Sequence, residues 1–322
     1  MPGIGIISNP HAKVNRNDPE HNTLIWYVLG NRGRFEVTST LDDLANVCRN
    51  FQERGIDHIG IVGGDGTITR TLTALLACYG EAALPRIIVL RGGTVNVLAT
   101  NLGIHGQPKD ILADTMDFFH SNNHLHEMPV RSLMVNGCLG FLFGTTGAVR
   151  FLEAFYANKT SAWGAGTFFG KLLLDGLSGG RLDGRFPAMA APERMSISSS
   201  WQGSCEHREL NTPVLLAATI PKLPYGLNYF PEIAGRVDRA QALYATGTGR
   251  RLVQDIATSL ISSSINPAQL PRFRFDELDI VWPGPATYTL DGEVLWAADG
   301  KASLRLGPIF RFCSPYGKIS SR

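Results

Sequence analysis

The chain has 322 residues, of which 44% are hydrophobic and 18% charged, a globular composition that excludes a disordered polypeptide and leaves room for two domains. Thirty lysines and arginines balance 28 aspartates and glutamates, so the net charge of +2 offers no electrostatic basis for binding nucleic acid. Five cysteines without a CxxC pair are typical of a reducing compartment, not of a disulfide-linked secreted protein.

The N-terminal segment MPGIGIISNP has neither the basic start nor the long apolar run of a signal peptide. Its residues 4–7 are predicted to form the first strand. The least polar long stretch, residues 133–152, contains Asn136, Arg150 and several glycines, so it is not expected to span a membrane. We therefore predict a cytoplasmic protein without a transmembrane segment, and peripheral contact with a membrane surface stays open.

Strand and helix patterns alternate over the first 125 residues. The segment TLDDLANVCRNFQERG has apolar residues at helical spacing, a capping-box pair in Thr40 and Asp43, and Gly55 at its end. Buried strands and helices are then predicted in turn at residues 58–62, 67–78, 86–90 and 94–102. This order predicts an α/β domain over residues 1–125, built on a parallel sheet with helices on both faces.

Beyond residue 126 the pattern changes to short alternating segments such as RMSISSS and ATYTLDGEVLWAADG. Period-two alternation between turn residues is typical of antiparallel strands, so a mainly β second domain is predicted for residues 126–306. Helical interruptions are expected at residues 148–157, 165–176 and 248–261.

The segment IGIVGGDGTITR joins a predicted strand to a predicted helix through a glycine-rich turn. Such a turn lets backbone N–H groups approach an anion, and the positive end of the helix dipole attracts the same anion. Asp65 opposes both effects. A simple turn in which Asp65 or Thr67 caps the following helix explains GGDG equally well.

Residues 89–104, VLRGGTVNVLATNLGI, repeat the order of strand, glycine-containing loop and helix, with Thr94 and Asn96 at the helix entrance. Because parallel strands end at one edge of the sheet, we expect the two loops side by side where open α/β sheets bind ligands. The first strand also ends there, which makes Asn9 and Lys13 further candidate donors to phosphate.

A divalent cation gives Asp65 a function in such a cluster, because carboxylate and phosphate oxygens together are the usual ligands of Mg²⁺. The sequence therefore indicates a site for a nucleotide with its metal. Neither the Walker pattern G-x-x-x-x-G-K-[ST] nor the dinucleotide pattern G-x-G-x-x-G is present at these loops.

Four motifs together, GGDGT, GGTVNVLATNLGI, the early NP and the late LDGE at residues 290–293, resemble the diacylglycerol kinase catalytic family, which includes sphingosine kinases and bacterial lipid kinases. GGDGT alone is also similar to loops of NAD kinases and phosphofructokinases. The combination with the second loop and with LDGE is much more specific.

The resemblance implies an enzyme that uses ATP and Mg²⁺ to phosphorylate a hydroxyl group of a lipid presented at a membrane surface. It implies a β-sandwich as the second domain and a chain end, residues 307–322, that returns to the first. Asp65 would hold the metal, Glu293 would accept the proton of the lipid hydroxyl, and Thr38 is the alternative to Thr40. The predicted nucleotide contacts are Asn9, Thr40, Gly63, Gly64, Asp65, Gly66, Thr67, Gly93, Thr94 and Asn96.

Read on its own pattern, Glu293 is an ordinary residue. YTLDGEVL alternates around Asp-Gly, the usual chemistry of a hairpin turn, and a glutamate after such a turn is more often a solvated strand end than a base.

Residues 221–243 depart from the pattern of the family. The resemblance implies a second, structural Mg²⁺ site there, for which Pro231 and Asp238 match the expected residues and Asp238 is the candidate ligand. The glycine run of the family is missing, and Arg239 and Ala240 replace a glycine and a leucine. These replacements argue against the second metal site.

Two other functions stay open at this point. One is an NAD kinase-like enzyme that phosphorylates a nucleotide ribose, and the other is a homologue that binds nucleotide or lipid without turnover. A homodimer also stays open. The apolar pattern of residues 163–177, with Phe168 and Leu172, is a candidate lining for an acyl chain, although core packing is its commoner explanation.

Overall fold

The computed structural model describes residues 3–18, 20–121, 125–157, 170–171, 174–176, 178, 181, 185–224, 227–247, 251 and 270–316. The chain divides into two compact units. Unit 1 consists of Met1–Val130, Pro224–Gly226 and Pro308–Arg322, and unit 2 of Arg131–Leu223 and Leu227–Gly307.

A parallel sheet forms the centre of unit 1. Strand β1 pairs in parallel with β2 on one side and with β3 on the other, and β3 pairs in parallel with β4. The order β2-β1-β3-β4 makes the space between β1 and β3 the topological switch point, where such sheets bind ligands. The strands are β1 Gly3–Ser8, β2 Gly33–Val37, β3 Ile56–Gly63 and β4 Arg86–Arg91.

Within the described residues of unit 1, six α-helices accompany this sheet. The longest bury one apolar face each, as α3 does with Leu44, Cys48 and Phe51. Thr40 and Asp43 form the predicted capping box at the start of α3, and Gly55, with a φ of +66°, follows its end. The helices are α1 Lys13–Asn17, α2 His21–Leu29, α3 Leu41–Glu53, α4 Asp65–Tyr79, α5 Val97–Asn101 and α6 Pro108–His120.

The end of the chain contributes a further strand to unit 1. Residues Phe312 and Cys313 pair in parallel with Ile87 and Ile88 of β4. They belong to a long strand, β16 (Lys301–Ser314), whose residues from Pro308 onward are part of unit 1.

Unit 2 contains two antiparallel sheets. In one, β16 pairs with β13, β13 with β8, and β8 with β9, while β5 pairs with β6. The other has the order β12-β11-β10-β7-β14-β15. The strands are β5 His126–Val135, β6 Cys138–Gly140, β7 Leu142–Thr146, β8 Glu193–Trp201, β9 Ser204–Thr212, β10 Val214–Ala218, β11 Ala240–Tyr244, β12 Arg272–Phe275, β13 Glu277–Val281, β14 Ala286–Leu290, β15 Glu293–Ala297 and β16 Lys301–Ser314.

A single buried cluster contains side chains from both sheets of unit 2. Phe143, Leu215 and Phe275 of one sheet pack in it with Ile197 and Leu278 of the other. Two sheets that share one apolar core in this way form a β-sandwich. The predicted fold class, a parallel α/β domain followed by a mainly β domain, is therefore confirmed.

Two described helices belong to unit 2, α7 Gly147–Ala157 and α8 Arg185–Met189. The first matches the helix predicted at residues 148–157. Most of the helices predicted at 165–176 and 248–261, including Phe168 and Leu172, lies outside the described residues. Over the part of the chain that is described, no helix combines the length and the apolar character that crossing a bilayer requires.

Candidate nucleotide-binding site

Backbone hydrogen bonds join the ends of three strands in unit 1. The N–H of Asn9, just after β1, donates to the carbonyl of Val62 in β3 at 3.1 Å. The N–H of Gly92, just after β4, donates to the carbonyl of Gly63 at the end of β3 at 2.8 Å. The first turn of α1 also joins this group, because the N–H of Val14 donates to the carbonyl of Gly92 at 3.2 Å. The predicted clustering of these segments at one sheet edge is therefore observed.

The glycines of the two loops are required because the loops touch each other through their backbones. A Cβ atom on Gly93 would lie 2.4 Å from the Cα of Gly64, and one on Gly92 would lie 2.9 Å from the nitrogen of Gly63. Only glycine permits such an approach. The glycine pattern predicted anion binding and did not indicate the contact between the loops.

Asp65 is the first residue of α4, but its carboxylate caps a different helix. Its Oδ2 accepts the N–H of Val97 and its Oδ1 accepts the N–H of Leu98, both at 3.0 Å, in the first turn of α5. Helix α4 itself has Gly64 at its N-cap and no side-chain cap. The carboxylate thus lies at the N-terminal ends of two helices, where both dipoles favour a negative charge.

Burial nevertheless raises the pKa of Asp65 above its usual value, and the N–H groups of Leu98 and Val97 and the charge of Arg91 oppose this effect. The N–H groups of Val97, Leu98 and Asp65 itself donate to the carboxylate, which has about four lone-pair sites, so one remains. Such a group is suited to a cation, because a cation both uses the remaining lone pair and compensates the cost of ionisation.

Asn9 and Thr67, both predicted contacts, are hydrogen-bonded to each other. The Nδ2 of Asn9 donates to the Oγ1 of Thr67 at 2.9 Å, which ties the segment after β1 to the first turn of α4. Asn15 also holds the segment after β1 in place. Its Nδ2 donates to the carbonyl of Asn9 at 2.6 Å and to the Oγ of Ser8 at 3.0 Å. Sequence spacing offered no signal for Asn15.

Asn96 shapes the second loop. It has a left-handed backbone with a φ of 52°, its Oδ1 accepts the N–H of Gly93 at 3.0 Å, and its Nδ2 donates to the carbonyl of Gly93 at 2.9 Å. Its amide is therefore engaged within the loop. Thr94 lies exposed between these two residues.

Of the two threonines near the end of β2, Thr38 lies beside the cluster of strand ends. It is buried, and its N–H donates to the carbonyl of Ser8, the last residue of β1, at 3.0 Å. The hydroxyl of Thr40 instead accepts the N–H of Asp43 at 3.1 Å as the exposed cap of α3. The geometry favours Thr38 over Thr40 as the threonine of this site.

Arg91 is a residue of this cluster that the sequence analysis did not select. It ends β4, its charge acts on Asp65, and its Nε is buried without a hydrogen-bond partner. A basic residue at the end of the otherwise apolar strand RIIVLR was the signal that could have identified it. Lys13, the other predicted cation, begins α1 and is partly buried.

In unit 2, Glu293 follows a tight hairpin turn. Asp291 and Gly292 have φ values of 49° and 88°, as a type I′ turn requires, and Leu290 pairs with Glu293 across it. Glu293 is exposed, and its charge adds to burial in raising the pKa of Tyr156. The hydroxyl of Tyr156 donates to the carbonyl of Gly292 at 2.8 Å.

Asp291 fixes this turn to another part of unit 2. Its Oδ1 accepts the N–H groups of Phe141 and Leu142 at 3.0 and 2.9 Å, and its own N–H donates to the carbonyl of Leu142 at 2.9 Å. Asp291 therefore has a structural function in addition to forming the turn. No local pattern indicates these bonds, since Phe141 lies 150 positions away.

Asp238, the candidate ligand of a second metal, is paired with Arg239. The Nε and Nη2 of Arg239 lie 3.1 and 2.5 Å from the Oδ2 of Asp238, and this pairing lowers the pKa of the carboxyl. Arg239 also lies over the ring of Trp201, 5.4 Å from its centroid. The arginine that replaces the expected glycine thus engages the carboxylate, and the described residues contain no cluster of three or more metal-binding side chains.

Residues 4–122, which contain both loops, match the family model described as the diacylglycerol kinase catalytic domain. The resemblance to the diacylglycerol kinase catalytic family is confirmed. Glu293 and Asp238 lie outside the matched segment. No curated protein that was compared matches the chain.

The fold is similar to that of three solved structures from Bacillus anthracis str. Sterne. One is described as a diacylglycerol kinase and has a TM-score of 0.66 at 16% identity, over 97% of this chain and 96% of its own. The other two, candidate diacylglycerol kinases, give 0.67 and 0.66 at 16% and 15% identity, over 97% of this chain and 95% and 97% of theirs. At this identity the likeness establishes the fold.

The contact between the loops predicts that Gly93→Ala is destabilising. The added Cβ would meet backbone 2.4 Å away, which cannot move without separating the loops, so the free energy of unfolding should fall by about 1 to 3 kcal/mol. Gly284→Ala is the matched control, because nothing lies within 4 Å of the added atom. Urea denaturation that finds the two variants equally stable would contradict the contact.

Proposed function

We propose that the protein is an ATP- and Mg²⁺-dependent kinase that phosphorylates a hydroxyl group of a diacylglycerol-like lipid. The observation that carries the proposal is the carboxylate of Asp65, held between two helix N-termini in a pair of touching glycine loops. These loops lie in the segment that matches the diacylglycerol kinase catalytic domain.

The N-terminus of α4 is the proposed site of the nucleotide phosphates. No side chain caps this helix, so its first N–H groups and its dipole are suited to an anion. Thr67, which accepts a hydrogen bond from Asn9, lies in its first turn, and Arg91 adds a positive charge at the end of the next strand. Thr38 and Thr94 are the proposed hydroxyl contacts at the neighbouring loops.

Asp65 is the proposed protein ligand of Mg²⁺. Its two bonds to α5 orient the carboxylate, a lone pair remains for the metal, and its raised pKa fits a group that is ionised more easily beside a cation. When bound, the metal supplies charge neutralisation to the phosphate that is transferred. Phosphate and water would complete its coordination, as is usual for Mg²⁺.

Glu293 is the proposed base. It would accept the proton of the lipid hydroxyl while that oxygen bonds to the γ-phosphorus and the bond to the bridging oxygen of ADP breaks. The turn that carries Glu293 is fixed by Asp291 and by Tyr156 through hydrogen bonds to three different backbone groups. The acceptor lipid would be reached at a membrane surface.

The decisive assay is incubation with γ-labelled ATP, Mg²⁺ and vesicles that contain diacylglycerol, with NAD in a parallel reaction. We expect the label in a chloroform-soluble product and none in NADP. Label in NADP without a lipid product would replace the proposal with an NAD kinase-like activity. Binding of ATP with no transfer to either acceptor, or to an extracted lipid pool, would leave a non-catalytic homologue.

If Glu293 is the base, Glu293→Gln should lower kcat by about 10²- to 10⁴-fold and leave the affinity for ATP within a few-fold. Glu209→Gln, which changes another exposed glutamate of unit 2, is the matched control and should retain kcat. A Glu293→Gln protein with an unchanged Tm and an unchanged kcat would remove Glu293 from the mechanism. Asp291→Asn should instead lower Tm, because it weakens two backbone bonds.

A further inference from the structure

Unit 2 contains a pocket of about 440 Å³ whose lining includes none of the residues assigned above to nucleotide or to catalysis. One side is formed by β8 and β9, and the other by β11, β12 and Glu232. Its volume lies within the usual range of small-molecule sites. Trp201 and Phe273 give it apolar surface, and its other lining residues are polar or charged.

Two of the three arginines that line the pocket have carboxylate partners. The Nη2 and Nε of Arg274 lie 2.7 and 3.0 Å from the Oε2 of Glu232, and Arg208 pairs with Glu206. Within each pair, the charge of the arginine cancels that of the glutamate. The third arginine therefore determines the formal charge of the lining, which is +1 for three arginines and two glutamates.

Arg272 is that third arginine. Its Nε and Nη2 are buried and have no hydrogen-bond partner. Burial lowers its pKa below the usual value, against the attraction of Glu232 and Tyr229. A buried guanidinium with unused donors is costly unless an anion satisfies it. The Nε and Nη2 of one guanidinium lie on the same edge, which suits two oxygens of one phosphate or carboxylate.

Gln241 adds an unused acceptor to the same pocket. Its side chain is 1% exposed, and its Oε1 has no hydrogen-bond partner. Gln241 pairs in register with Arg274, so strand alternation brings Gln241, Arg274 and Arg272 to one face of β11 and β12. A buried amide oxygen requires a donor, such as a hydroxyl group.

We propose that this pocket binds a phosphate monoester that carries a free hydroxyl group, as in glycerol 3-phosphate. Two phosphate oxygens would accept from Arg272, the hydroxyl would donate to Gln241, and Trp201 would contact the carbon skeleton. Such a group occurs both in a free metabolite and in the headgroup of lysophosphatidic acid. The inference does not depend on the proposed kinase activity, because it uses no residue of that site.

Calorimetric titration with glycerol 3-phosphate and with inorganic phosphate tests the pocket. We expect the wild-type protein to bind glycerol 3-phosphate more tightly, and Arg272→Met to weaken its binding by about tenfold or more. Arg194→Met, which removes an exposed arginine of β8 outside the pocket, should bind as the wild type does. Gln241→Leu should retain phosphate binding and lose the preference for glycerol 3-phosphate.

A loss of binding by Arg272→Met would not be due to unfolding. Because Arg272 has no hydrogen-bond partner at its Nε and Nη2, Arg272→Met should keep or raise Tm without ligand. Competition by vesicles with lysophosphatidic acid would identify a lipid headgroup as the source, and no competition would identify a free metabolite. No binding by the wild type, equal binding by Arg272→Met, or displacement of glycerol 3-phosphate by ATP would overturn the proposal.

Discussion

The two hydrogen bonds from the N–H groups of Val97 and Leu98 to the carboxylate of Asp65 are the constraint on which the candidate site depends. They connect the first turn of α4 to the first turn of α5, and so bring together the loops after β3 and β4. Gly64 and Gly93 allow this only because they lack side chains. The acid in this glycine-rich loop is thus first a structural element, and its remaining lone pair is what the proposed metal would use.

A similar arrangement is present in unit 2. Asp291 accepts two consecutive N–H groups, those of Phe141 and Leu142, and thereby fixes the turn before Glu293. In each unit, an aspartate next to glycine uses its carboxylate to hold a loop in position. Asp291 is therefore not an inert neighbour of Glu293, and a loss of activity in an Asp291 variant reports on the geometry of the turn. Tyr156 supports the same turn from α7.

Local patterns predicted much of this fold, because the interactions concerned are local. Thr40 and Asp43 are three residues apart and form their capping box without help from the rest of the chain. Asp-Gly at 291–292 specifies a hairpin through its own φ preferences. In contrast, Asp65 reaches a helix 32 positions away, and no spacing rule relates it to Val97.

Local patterns also could not decide between Thr38 and Thr40. That choice depends on the register of β1 and β2, which places the end of β1 beside Thr38. The same limit explains why Arg272 and Gln241 were not selected. Both look ordinary in the sequence, and only burial without a hydrogen-bond partner distinguishes them. Candidate residues of this kind follow from tertiary packing, which single-sequence patterns do not contain.

The central claim, that Asp65 serves a metal at the nucleotide phosphates, is tested most directly by calorimetric titration of ATP in excess Mg²⁺ and in excess chelator. The account predicts much tighter binding by the wild type with Mg²⁺, and little difference between the two conditions for a folded Asp65→Asn protein. Because burial raises the pKa of Asp65, protons compete with the metal, so the wild-type difference should shrink as the pH falls. Equal ATP affinity of the wild type with Mg²⁺ and with chelator would contradict the account.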